Sequence, residues 1–96
     1  MWEGVPRQIQ TTAPAVGKQI ADNNPRRAWL LVQNISGEAC TLTLWRGGLD
    51  YGIVRLEVGD DAKFEPGDMW WDGAVIAISP GGTAVIYGTE MTWVKR

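Results

Sequence analysis

The chain has no histidine, a single cysteine and a single phenylalanine among its 96 residues. Lack of histidine removes the commonest general base, the usual zinc ligand and every histidine-dependent triad. Cys40 has no imidazole to activate it and no second cysteine with which to close an intrachain disulfide. Set in the apolar alternation Cys40, Leu42, Leu44, it reads as a small buried hydrophobe. The only serines, Ser36 and Ser79, lie among turn residues, and neither sits in a G-x-S-x-G elbow. Pro80-Gly81-Gly82 joins two strand-like runs, whereas a phosphate-binding loop opens a helix. These absences predict a protein that is not an enzyme, with no cofactor and no metal.

Long apolar runs and runs of one charge are missing too. No stretch approaches the ~20 apolar residues of a membrane helix, and no charged n-region precedes an apolar h-region. The chain is therefore expected to be soluble, with no membrane partner. Net charge is −2 without a long basic run, so no nucleic-acid footprint is present. Arg26-Arg27 reads as a solvated strand start and Lys95-Arg96 as a charged chain end. Apolar residues at 45% and charged residues at 21% are ordinary values for one globular domain.

Glycine and proline, by contrast, are everywhere: twelve and five. The longest stretch free of both, Arg26 to Ser36, has eleven residues and is a β-rich apolar run rather than a 3.6-residue stripe. A helix of ordinary length has nowhere to sit. The prediction is all-β: an antiparallel β-sandwich or jelly-roll-like small barrel of about seven or eight short strands. Residues 1–14, with two prolines and no period, read as an extended N-terminal arm with a brief pairing around Gln8 to Thr12. Residues 15–90 form the domain and 91–96 a tail. Within the domain, Ala15 to Ala21 reads as an edge strand. Arg27 to Asn34 reads as the central strand, buried on both faces. Ala39 to Trp45 places Cys40, Leu42 and Leu44 on one face and Thr41, Thr43 and Trp45 on the other. Ala74 to Ser79 and Thr83 to Glu90, around Pro80-Gly81-Gly82, read as a hairpin. Glu57, Asp60, Asp61, Glu65, Asp68 and Asp72 could pair as acids or hold Ca²⁺. Their neighbours Gly59, Pro66-Gly67 and Gly73 mark them instead as turn residues, and their spacing is not that of an EF-hand.

Six tryptophans are the compositional excess. Trp29 lies in the continuous apolar run and is expected in the core. Trp70 and Trp71 are adjacent, so in a strand they point to opposite faces. One then packs inward and the other meets a partner, and the sequence leaves the choice open. Trp2 and Trp93 lie in terminal segments that a small domain struggles to bury. Tryptophan buries ~150–250 Å² with few rotatable bonds, which suits an interface. The competing reading places all six in one core.

The run Asn24-Pro25-Arg26-Arg27-Ala28-Trp29-Leu30-Leu31-Val32-Gln33-Asn34 is followed by Leu56-Glu57-Val58-Gly59-Asp60, Trp71 to Ile78 and Thr83 to Tyr87. This order of turns and apolar runs resembles the small β-sandwich virion proteins of tailed bacteriophages, of the capsid decoration (cement) or head-fibre-base type. The resemblance implies a capsid decoration protein, made in the host cytoplasm and carried on the virion surface, which binds the major capsid protein or another virion protein. It also implies a homo-oligomer, a trimer by preference. The arm would then reach neighbouring subunits, and the expected partner interface is Trp2, Val5, Ile9, Trp70, Trp71 and Trp93. Two alternatives stand beside it. One is a carbohydrate-binding module with Trp70 or Trp71 flanked by Asp68 and Asp72, and the other a tail, neck or fibre-anchor component.

Overall fold

In the computed structural model, which describes residues 1–96, glycine and proline cut the chain into eight strands and no helix. They are β1 (Trp2–Thr12), β2 (Lys18–Ala21), β3 (Arg27–Ser36), β4 (Cys40–Arg46), β5 (Leu49–Leu56), β6 (Asp61–Phe64), β7 (Ala74–Ile78) and β8 (Val85–Lys95). One sheet has the order β1-β8-β3-β6 and the other β2-β7-β4-β5. Every neighbouring pair is antiparallel. Two four-stranded sheets in this order form the double Greek key of a jelly roll, so the expected all-β sandwich is the fold.

The core lies between the sheets and follows from period-two alternation. In β4, Cys40 and Leu42 are fully buried and Leu44 packs beside them, while Thr41 and Trp45 are half-buried on the outer side. Opposite stand Leu30 and Val32 of β3, Phe64 of β6 and Ile86 of β8, all without accessible surface. Removing such a side chain to alanine costs about 2–5 kcal/mol.

Several expectations about the chain's course are corrected. Residues 1–14 are not a free arm: β1 pairs with β8 from Trp2↔Lys95 to Thr12↔Val85, and the tail is the far end of that same partner strand. Pro6 and Gly4 hide the strand in the sequence, but an edge strand tolerates a proline because one side of it needs no donors. The hairpin over residues 74–90 does not form, since β7 and β8 belong to opposite sheets. Amides that a hairpin ladder would use are taken instead by side chains. Ser79 Oγ accepts from the Ala84 amide at 3.1 Å, and the Glu38 carboxylate accepts from the amides of Gly81 and Thr83 at 3.0 and 3.1 Å.

β3 is central but not buried on both faces. Ala28, Leu30, Val32 and Asn34 face in, while Trp29, Leu31 and Gln33 are half-buried on an outer face that no further layer covers. Trp29 is accordingly outside the core, with the Lys63 ammonium 5.3 Å from its ring centre. The edge strand expected at Ala15 to Ala21 is present as β2, although Val16 lies before it and is 92% exposed.

Candidate functional site

At one end of the sandwich, β1 and β8 bring Trp2 and Trp93 onto the same outer surface. Gly4 lies opposite Trp93 in the register. A Cβ at Gly4 would stand 2.9 Å from Met91 Sδ and 3.7 Å from the Trp93 ring, so the glycine is what lets these side chains lie across β1. The Trp93 amide donates to the Arg26 carbonyl at 2.8 Å, which ties the turn before β3 to the end of β8. Arg26 then lays its guanidinium over the Trp2 ring, 5.2 Å from the centre. Trp2, Pro25, Arg26 and Trp93 together line an open cleft of about 420 Å³. Both indoles remain about half exposed, at 52% and 46%.

Sequence reading named Trp2 and Trp93 but missed Pro25 and Arg26, taking the first for a turn and the second for a solvated strand start. No local cue in the sequence marks them, because they reach the tryptophans only through the pairing of β3 with the end of β8. The other expected interface residues do not join this cleft. Ile9 is 6% exposed and belongs to the core, and Val5 is half-buried opposite Thr92.

Trp70 and Trp71 lie in the loop before β7 rather than in a strand. Trp71 is the structural one of the pair. Its Nε1 donates to the Ala74 carbonyl at 2.9 Å, Tyr51 lies 5.4 Å away between ring centres, and the Arg46 guanidinium sits 4.8 Å above the ring. Gly73 is obligatory there, since a Cβ would come within 2.4 Å of the Trp71 ring. Trp70 is 40% exposed. Asp72 is ion-paired with Arg46, so a sugar-stacking face built from Trp71 and Asp72 is already occupied.

Beneath the cleft end lies Arg27, expected in solvent but buried. Its guanidinium donates to the Glu90 carboxylate at 2.8 Å and to the carbonyls of Trp71, Gly73 and Asp22 at 2.9, 3.0 and 2.9 Å. Arg7 reaches the second Glu90 oxygen at 3.2 Å. Burial works to raise the Glu90 pKa, but the hydrogen bonds and charge of Arg27, helped by Arg7, outweigh it and hold the carboxyl below its usual range. The opposite end is tied by Glu38. Hydrogen bonds from Ser79, from Thr83 and from the Gly81 and Thr83 amides lower its pKa to about 2.

The remaining carboxylates act as the turns predicted. Asp60 accepts from the Glu57 amide at 3.0 Å, while Glu57 and Glu65 pair with Arg55 and Lys63 at 2.7 and 3.4 Å. No three of the histidine, cysteine, aspartate and glutamate side chains gather as a metal cradle. Cys40 is buried, and burial with the nearby Glu38 charge pushes its thiol pKa up.

No family model matches the sequence, and no curated protein matches it. Among solved structures, the fold is similar to a subunit from the work "Bacillus endospore appendages form a novel family of disulfide-linked pili". The likeness covers 96% of this chain and 85% of that one, with a TM-score of 0.66 and 17% identity. This finding corrects the expected capsid decoration role: the jelly roll here is shared with a bacterial appendage, and the match brings in no virion protein.

Proposed function

We propose that this chain is a non-enzymatic structural subunit that associates with copies of itself into a pilus-like fibre. The observation that carries the proposal is the likeness to an endospore pilus protein over nearly the whole chain. The surface supports it. β1, β6, β2 and β5 are free sheet edges, and edge β5 carries the exposed Leu49, Tyr51 and Ile53. An apolar strand edge of this kind favours pairing with another chain. One departure from the pilus protein matters. Cys40, the one cysteine, is buried and out of reach of a neighbouring chain's thiol, so the association proposed here is non-covalent.

Light scattering and negative-stain microscopy of the purified chain over a concentration series test the proposal. Oligomers growing with concentration, unchanged by a reducing agent, are the expected result. A strict monomer up to millimolar concentration would overturn it.

A further inference from the structure

The cleft of Trp2, Pro25, Arg26 and Trp93 has a complementary feature on the same molecule. At the other end of β3, the turn Glu57-Val58-Gly59-Asp60 is anchored by the Gly59 amide donating to the Asn34 carbonyl at 2.7 Å and by the Asn34 amide donating to Asp60 at 3.0 Å. Arg26 precedes the start of β3 and Asn34 lies near its end, so roughly 25 Å of extended strand separates cleft from turn. The long dimension of the protein is 44 Å. The two features therefore lie too far apart for one copy to satisfy its own cleft.

Their chemistry matches. Val58 projects at the tip of the turn, 51% exposed, flanked by Glu57, Asp60 and Asp61. The cleft presents two indole faces, and Arg26 and Lys95 beside it take part in no ion pair. Arg26 spends its face on Trp2 and keeps its N–H edge free, which is the geometry that receives a carboxylate. Asp61 likewise takes part in no ion pair.

We infer that the acidic Glu57–Asp61 turn of a second copy of this chain docks in the Trp2–Trp93 cleft, with Val58 between the indoles and Asp61 toward Arg26. This contact rests on the self-association proposed above and gives it a direction. It is head-to-tail, so its repetition adds copy after copy, into a filament unless the rotation closes a ring, rather than stopping at a two-fold dimer.

Two variants of the full chain separate the possibilities. Trp2→Ala/Trp93→Ala removes the cleft and leaves the turn. Glu57→Lys/Val58→Asp/Asp61→Lys removes the turn and leaves the cleft. Each alone is expected to associate about tenfold or more weakly than wild type. Mixed in equal amounts, they should form a heterodimer that grows no further, because only one working contact remains. Folding of each is checked by circular dichroism. If removing the tryptophans unfolds β1, the exposed single changes Arg26→Glu and Asp61→Lys replace them: each weakens association, and the two combined in one chain recover part of the loss.

Wild type that assembles while every variant assembles equally would overturn this contact and leave the proposed function standing. Folded, monomeric variants whose mixture stays monomeric would overturn the head-to-tail geometry. A wild-type monomer would overturn both.

Discussion

The two ends of the sandwich are tied together by opposite chemistry. At the cleft end a buried donor, Arg27, gathers the carbonyls of Asp22, Trp71 and Gly73. At the far end acceptors, Glu38 and Ser79, gather the amides of Gly81, Thr83 and Ala84. Both devices join loops that cross between the two sheets, and both satisfy backbone groups that loops would otherwise leave unpaired. They differ in burial. Arg27 is a permanent charge without solvent and depends on Glu90, whereas the Glu38 carboxylate is exposed and titratable. Loss of Arg27 strands a buried carboxylate and three carbonyls, while loss of Glu38 leaves groups that water can reach.

The largest effect should therefore come from the buried tie. Arg27→Met is expected to lower stability by about 3–5 kcal/mol in urea denaturation, chiefly because Glu90 is left buried without its main partner. Adding Glu90→Met should recover part of that loss. A single change costing under about 1 kcal/mol would show that the guanidinium does not hold this end. Next comes the tryptophan pair in the loop above it. Trp71→Ala should cost about 2–3 kcal/mol, since it removes half-buried contacts and a hydrogen bond. Trp70→Ala should stay within about 0.5 kcal/mol, as for other exposed positions. Equal effects would mean that the loop does not distinguish them.

The last change, Glu38→Gln, is read through its pH dependence rather than at a single pH. Folding depresses the Glu38 pKa from 4.5 to about 2, so the unfolded chain binds the proton more readily and stability falls as pH drops through that window. Glu90 is depressed in the same direction and adds to the fall. Denaturation curves at pH 7 and pH 3 should show the wild type losing more stability between the two than Glu38→Gln does. Identical losses would remove Glu38 from the account of the far end.

Much of the fold was legible, and the reason is local. Twelve glycines and five prolines leave no room for a helix, and period-two alternation in Cys40 to Arg46 identifies the inward face without reference to any neighbour. Most turn acids fell in the connections between strands, although Asp61 opens β6. The errors share a cause that is not local. Pro-Gly-Gly between two β-runs is the mark of a hairpin, but Ser79 and Glu38 take the amides that would have fixed it. Trp29 sits in the most apolar run of the chain, yet alternation places it outward beside Lys63. Half of the cleft was visible as two tryptophans in terminal segments. The other half, Pro25 and Arg26, is near them only because β3 and the end of β8 are neighbours.

What the sequence determined by itself is the all-β class, the inward face of strands such as β4 and the absence of histidine-based chemistry, since each follows from which residues are present and how they alternate. Only the tertiary structure decided which sheet each strand joins, that the first residues form an edge strand, and that Arg27 is buried. It also decided that Trp71 is structural while Trp70 is free. Alternation encodes two faces of a strand but not its partner. Partner choice is set by contacts between residues far apart in the chain, such as Trp2 with Lys95 and Arg27 with Glu90.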